Sequence, residues 1–376
     1  MTQSLFFYGT LCHIPLLEII LGRSRDQISL NAAVLADHAV HWVKDQPFPM
    51  ISEEAGAEAH GLLVQGLSAL DVERLNFYEG GFDYALTPIN VTTEDGPVAT
   101  EVYFPEPGMF TRGAIWKLAD WVAQWGDMSL SAAQDAMAQF GRKTASQMAH
   151  LLPFFRARAW SQELAQEGAP ADLRRNLTRD AVTLEKRSDG YADFFRFDTF
   201  DISYPHFDGT QSDTLDRGAF IAYDAALLLP YDPKRDRVML IEQLRYGPLL
   251  RGDPLPWVLE PIAGLVDAGE APMEAARREA VEEAGLALQD IRLMMKTYAA
   301  PGYSTEFFHC FLGLCDLDPA QEGLHGLASE SEDIRTHVMS FDRAMELFDS
   351  GEINQAPLAM MLLWLARKRE DLRAEA

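Results

Sequence analysis

The sequence predicts a two-domain α+β protein with a helical segment between the domains, and three observations carry that expectation. A chain of 376 residues, 48% hydrophobic, exceeds one small domain and has material for two cores. Both ends show short apolar runs broken by Gly, Pro and Asp turns, the pattern of strands. Between them Ile115, Leu118, Ala119, Val122 and Ala123, with Trp116, Trp121 and Trp125, recur at helical spacing, and more helix follows through Met148, Leu151 and Leu152. These set domains at 1–110 and 177–376 around a helical linker at 111–176, with a break near Gln166-Glu167-Gly168-Ala169-Pro170. The Trp-rich helix reads as interdomain packing.

The N-terminal region opens with Leu5-Phe6-Phe7-Tyr8, a short buried strand, followed at once by Gly9-Thr10-Leu11-Cys12. A strand ending in a Gly-containing turn can offer backbone N–H groups to an anion such as a carboxylate. His60 to Gly66 reads as another strand, and Ser68 caps a helix through Asp71, Leu75 and Tyr78, leading to Glu79-Gly80-Gly81-Phe82-Asp83-Tyr84. Residues 85–91, the turn Glu94-Asp95-Gly96-Pro97 and residues 98–104 form a hairpin pattern. The Tyr8-Gly9-Thr10-Leu11 and Tyr78-Glu79-Gly80 pair resembles the gamma-glutamylcyclotransferase-like (AIG2-like) family. That resemblance implies a small mixed β-barrel, substrate contacts at Tyr8, Gly9, Thr10 and Leu11, and Glu79 as acid and base. One carboxylate would take a proton from the attacking amine and return it to the leaving amine. A non-catalytic module that keeps only the fold stays open.

In the C-terminal region, residues 225–230, the turn Tyr231-Asp232-Pro233 and residues 238–245 read as strand, turn, strand. The segment 257–264 then enters the run Gly264-Leu265-Val266-Asp267-Ala268-Gly269-Glu270, which continues to Arg278-Glu279-Ala280-Val281-Glu282-Glu283-Ala284-Gly285-Leu286. Pro272 suits a first helical turn and Gly285 a left-handed C-terminal cap, so the spacing predicts a helix over 272–284. Glu279, Glu282 and Glu283 share one face of it, where like charges repel unless a cation binds. Glu270 and Arg278 can pair and hold the preceding loop to the helix. The bland alternative, a solvated acidic face in a chain of net charge −25, fits Glu274 alone but not the whole pattern.

The pattern closely resembles the signature of the Nudix hydrolase family, and Ala300-Pro301-Gly302-Tyr303-Ser304-Thr305-Glu306 with His325-Gly326-Leu327-Ala328-Ser329-Glu330 resembles its ADP-ribose pyrophosphatase branch. The proline sixteen positions after Gly285 is one marker of that branch. The resemblance implies an α/β/α sandwich, metal ligation by Glu279, Glu283, Glu282 and the Ala263 carbonyl, and Mg2+ as cofactor with Mn2+ as a substitute. It implies Glu330 as the base or water-orienting group, with Glu332 beside it as the competing choice, and Glu306 near the metals. It also implies Phe194 against adenine, Arg217 in the substrate site and a homodimer. Arg245 suits a diphosphate, because a guanidinium donates two parallel hydrogen bonds to phosphate oxygens. The implied reaction is metal-assisted substitution at phosphorus, turning ADP-ribose into AMP and ribose 5-phosphate. Where related enzymes often carry a basic pair, this chain has Gln211-Ser212-Asp213-Thr214, which bears on specificity. A binding protein that senses such nucleotides without turnover stays open as a second class.

Composition narrows the partners. The acidity argues against nucleic acid, whose phosphate backbone requires clustered Lys and Arg, but not against a small nucleoside diphosphate sugar handled through metal. Cys12, Cys310 and Cys315 have no CxxC partner, so they suggest neither a zinc site nor a disulfide framework, and a reducing cytoplasm is expected. Met1-Thr2-Gln3-Ser4-Leu5 lacks the features of a signal peptide, and apolar runs such as 358–366 are short of a membrane span.

Overall fold

The computed structural model describes residues 2–79, 85–106, 108–175, 177–327 and 332–376, the side chains at 85 and 187–189 excepted. The chain divides into two compact units, Met1–Gln166 and Glu167–Ala376.

In the first unit β1 (Gln3–Phe7), β2 (Ser29–Val43), β3 (Pro49–Leu67), β4 (Ala85–Thr93) and β5 (Gly96–Phe104) follow the order β3-β1-β5-β4-β2. Because β2 also pairs with β3, the sheet closes into a five-stranded barrel with no open edge between its ends. β1 and β5 run parallel, the other neighbours antiparallel, and β6 (Arg112–Ile115) adds to β2. The long β2–β3 hairpin bends at a bulge, where Asp37 adopts φ 56° and its Oδ1 accepts the Gly56 N–H at 2.8 Å. Only the last third of β3 was legible beforehand, since residues 53–59 are Glu, Ala and Gly without apolar alternation.

Helices α1 (Ile14–Leu21) and α2 (Ala69–Glu79) cover the barrel. Ser68 caps α2 as expected: its Oγ accepts the Asp71 N–H at 3.2 Å, and Asp71 Oδ2 accepts the Ser68 N–H at 2.7 Å. The helices expected as a linker, α3 (Leu118–Met137) and α4 (Ala145–Leu164), belong to this unit. Trp121, Ala133, Met137, Met148, Leu151 and Phe155 join Leu5, Phe7 and Leu17 in one core, so the apolar stripe finds its partner within the unit. Ile115 lies in β6, outside the helix that its spacing suggested.

In the second unit β7 (Thr183–Ala192), β8 (Arg196–Ser203) and β9 (Leu215–Ile221) form an antiparallel meander. The main sheet contains β10 (Asp224–Asp232), β11 (Arg237–Leu244), β12 (Trp257–Glu260) and β13 (Ile262–Leu265), with the short helix α5 (Tyr246–Arg251) between β11 and β12. After α6 (Pro272–Glu282) come β14 (Asp290–Tyr298), β15 (Phe307–Leu314), β16 (Leu324–His325) and β17 (Ile334–Ser340). Its order is β14-β15-β10-β11-β17-β16, with β12 on β11, β13 on β10, and β10 parallel to β15. Strand β10 runs through Tyr231 and Asp232, two residues into the expected turn. The reversal follows, with Asp232 Oδ1 accepting the N–H groups of Lys234 and Arg235, each at 3.0 Å, and Asp236 at φ 57°.

The sheet is covered on both faces. Leu227, Leu229 and Tyr231 pack with Leu240 against Phe341, Ala344 and Leu347 of α7 (Phe341–Ser350) and Leu358, Leu362 and Leu365 of α8 (Ala356–Ala374). The alternate residues Ala226 and Leu228, also fully buried, point to the other side, where α6 crosses β10, β13 and β15 on its buried Ala275, Ala276 and Ala280. Among the described residues no helix is long and apolar enough to cross a membrane.

Candidate active site

Helix α6 starts at Pro272 and ends as expected, with Gly285 at φ 60°, its N–H donating to the Val281 carbonyl and that of Leu286 to the Ala280 carbonyl, both at 2.9 Å. The loop before it is fastened by Arg278. Its Nε and Nη2 donate to the two Glu270 oxygens, both at 3.1 Å, and Nη2 donates to the Leu265 carbonyl at 3.0 Å. Nη1 reaches Glu279 and, at 3.0 Å, Glu282. Arg278 therefore does more than hold the loop, since it also partly compensates two of the three clustered glutamates.

Glu283 is 1% exposed and its Oε2 accepts the Ala263 N–H at 2.9 Å. Burial pushes its carboxyl well above the ordinary range; Glu279 and Glu332 push the same way, against the Ala263 N–H and Arg245. Burial raises Glu279 to about 7, countered by Arg278 and helped by Glu282 and Glu332. A bound cation would stabilise two carboxyls that burial so disfavours as anions, and the donors here are all oxygen, as hard divalent cations prefer. The residues fit Mg2+ in that sense, although among the described residues no three His, Cys, Asp or Glu side chains converge on one point. Gly264 makes room for Glu279: a Cβ there would lie 1.8 Å from Glu279 Oε1. Gly264→Ala should accordingly displace Glu279, lower the melting temperature by overpacking worth about 1–3 kcal/mol, and lower turnover. Unchanged melting and unchanged turnover would show that the close approach has no consequence.

Arg245 lies between β11 and α5, with its Nε donating to Glu260 Oε2 at 2.6 Å. Its charge also reaches Glu283 and Glu306, and burial nevertheless raises Glu260 and Glu306. Glu260 was missed in the sequence, where a lone acid in the apolar strand Trp257-Val258-Leu259-Glu260 was the available signal. Glu306 follows a loop bound to β9, where Phe220 donates to the Tyr303 carbonyl at 2.8 Å and Thr305 donates to the Phe220 carbonyl at 3.0 Å. Glu332 is tied to Leu327 by its N–H (3.3 Å) and carboxylate (3.2 Å), and its charge acts on Glu279 and Glu283. Glu330 lies outside the described residues.

Phe194 is 38% exposed and meets Phe195 and Tyr223 edge-on, with ring centroids 4.8 and 5.6 Å apart, while its carbonyl accepts the Tyr223 hydroxyl. Arg217, on β9, donates to the Asp216 carbonyl at 2.6 Å and among the described residues does not touch the α6 carboxylates. In the first unit Tyr8, Gly9, Thr10, Leu11 and Glu79 line one cavity, and the Tyr8 hydroxyl donates to the Tyr103 carbonyl at 3.1 Å. Gly80 to Tyr84 lie outside the described residues.

Comparison with known proteins agrees with this geometry. A NUDIX domain model matches residues 223–360, and a model of gamma-glutamyl cyclotransferase, AIG2-like, matches residues 5–123. The ADP-ribose pyrophosphatase of Escherichia coli strain K12 is 36% identical over 206 residues, spanning 55% of this chain and 98% of that protein. The chain belongs to the Nudix hydrolase family. It carries the AIG2-like domain in addition to its Nudix domain. The ADP-ribose pyrophosphatase of Haemophilus influenzae is 36% identical over 178 residues, covering 46% of this chain and 81% of that one. A GDP-mannose pyrophosphatase of Enterobacter sp. strain 638 is 32% identical over 142 residues, 38% of this chain and 73% of that one. The Nudix domain thus includes β10 to β17 and α6, the elements that gather Glu279, Glu283, Glu260, Glu306 and Arg245.

Proposed function

We propose that the second unit is a nucleotide-sugar pyrophosphatase that hydrolyses ADP-ribose to AMP and ribose 5-phosphate with Mg2+, as a homodimer in the cytoplasm. The observation that carries this reading is the buried pair Glu279 and Glu283, whose carboxyls burial disfavours as anions, with Arg245 within electrostatic reach of Glu283. Mg2+ bound there would neutralise the diphosphate, polarise the attacked phosphoryl group and lower the pKa of a bound water. Glu279 and Glu283 would hold it, with Glu282 and the Ala263 carbonyl as the further donors that the family resemblance suggests. Arg245 engages Glu260 through Nε alone among the described residues, which leaves its terminal nitrogens for two diphosphate oxygens. Glu330 is assigned the water by resemblance, Glu306 a place beside the metal-bound diphosphate, Phe194 the adenine face, and Arg217 a substrate contact. Three free cysteines support a reducing compartment, and exposed Tyr246, Leu250, Leu255 and Trp257 around α5 support association of two chains.

A second reading, action on another nucleoside diphosphate sugar, is favoured by the similarity to GDP-mannose pyrophosphatases and by Gln211 to Thr214 in place of a basic pair. Product analysis of the purified chain with ADP-ribose, ADP-glucose, GDP-mannose and NADH separates the readings, with light scattering on the same preparation. The expected result is release of AMP and ribose 5-phosphate from ADP-ribose, lost in Glu330→Gln, by a particle with the mass of two chains. Turnover of GDP-mannose alone would transfer the assignment, and no turnover of any substrate would leave a sensor.

A further inference from the structure

Three polar side chains gather on one face of the sheet around Arg245. Its backbone is extended, with φ −120° and ψ 136°, and its N–H donates to the Pro256 carbonyl at 3.1 Å, so the pleat of β11 continues through it. Side chains two apart along a strand share a face, which puts Gln243 on the side of Arg245. On β12, Val258 stands opposite Gln243 and Glu260 opposite Ile241. Glu260 therefore rises on that same face as the diagonal neighbour of Gln243, a separation that long side chains can bridge.

Glu260 is 6% exposed and accepts Arg245 Nε at 2.6 Å. Gln243 is 8% exposed, and its Nε2 is shut off from solvent without a partner in hydrogen-bonding geometry among the described residues. Its side chain nevertheless acts on Glu260. Burial raises the Glu260 carboxyl, and Arg245 first and then Gln243 pull it back down. Together these describe a donor that influences the carboxylate from just outside ideal bonding geometry. Packing alone gives no reason for a glutamine here, because a buried donor that has given up water without gaining a full partner weakens the fold, and an apolar residue of the same shape would not.

We propose that Gln243 is a positioning residue for Arg245, acting through Glu260: its amide steadies the carboxylate that holds Nε, and so aims the terminal guanidinium nitrogens at the diphosphate. The inference rests on the diphosphate contact assigned to Arg245 under the proposed function. With Nε held, Nη1 and Nη2 can meet two phosphate oxygens without first losing side-chain freedom, which is where the gain in affinity arises. Gln243 Nε2 has almost no exposed surface, so its effect on a substrate is indirect.

The test compares the full-length parent chain with Gln243→Met, Glu260→Gln and the double variant. Calorimetry measures binding of the ADP-ribose analogue whose bridging oxygen is replaced by methylene, with Mg2+ present, and steady-state kinetics use ADP-ribose. Methionine keeps the length of the side chain and removes the donor. Gln243→Met should bind the analogue about fivefold more weakly and raise KM by the same factor, with kcat within about twofold, because a grip on the diphosphate is common to ground and transition states. Its melting temperature should equal or exceed that of the parent, since the incompletely paired donor is gone. In the Glu260→Gln background the same substitution should change binding by less than about twofold, because its effect passes through that carboxylate. Unchanged affinity in Gln243→Met, or an equal loss in both backgrounds, would overturn the inference and leave the proposed function standing. A melting temperature well below that of the parent would make Gln243 a structural residue and overturn it equally. A parent chain that neither binds the analogue nor turns over ADP-ribose would remove the ADP-ribose reading and this inference with it.

Discussion

Glu283→Gln is expected to remove turnover while leaving the fold at least as stable as before. Glutamine keeps an oxygen for the Ala263 N–H, so the 2.9 Å clasp between α6 and β13 survives. What disappears is a negative charge in a site 1% exposed, already opposed by burial and by Glu279 and Glu332. Neutralising it relieves the metal-free protein and removes a charged donor from the cation. The fall in kcat should be at least about a hundredfold, the upper end of the cost of losing merely an outer partner of a metal ligand. Turnover and thermal melting of the same preparation check it. A variant that turns over normally would remove Glu283 from the machinery, and one that melts far below the parent would show a structural lesion instead.

The metal-free second unit should lose stability as pH rises from about 5 to 8. Glu279 goes from an ordinary 4.5 to about 7 on folding, and Glu283 moves the same way, so the folded chain binds these protons more tightly than the unfolded one. Their contribution is complete below the unfolded value and is lost as pH climbs through the folded one, on the order of a few kcal/mol. At the acid end Asp232 and Asp236 act oppositely: burial opposes their charge, but hydrogen bonds from Leu317 and Arg369 prevail and lower both. Their contribution is present above the unfolded value and fades as pH falls, so the maximum should lie near pH 5. Denaturant unfolding in chelator at pH 5, 6, 7 and 8 reads this directly, and added Mg2+ should restore stability at pH 8 by mass action. A flat profile, or one rising towards pH 8, would mean that the two glutamates are not buried as described.

Much of the second unit was legible because its signals are local. Pro272, Gly285 and the glutamate spacing each act within a few residues, and the helix, its cap and the Glu270–Arg278 pair follow from them. Glu260 was not legible, since its meaning comes from Arg245, fifteen residues away and just after the neighbouring strand β11. In the first unit the short motifs around Tyr8 and Glu79 pointed to a barrel, but half of β2–β3 did not, because closure of the barrel and a bulge at Asp37, not alternation of side chains, hold that hairpin. The helices α3 and α4 were recognised as helices and misassigned as a linker. Amphipathic spacing shows that a face will be buried, not against which neighbour.

The parallel pairing of β10 with β15 has a consequence for the order of events during synthesis. Residues 224–232 and 307–314 are the only parallel neighbours of the main sheet among the described strands, and α6 with its glutamates lies in the stretch between them. Hairpins such as β10–β11 can close as they emerge, whereas this pair must wait for some eighty further residues, and non-local pairing is slow. Until β15 arrives, α6 lacks one of the strands on which it rests. A nascent chain halted before residue 307 would therefore carry the whole glutamate motif without one of the strands on which α6 packs.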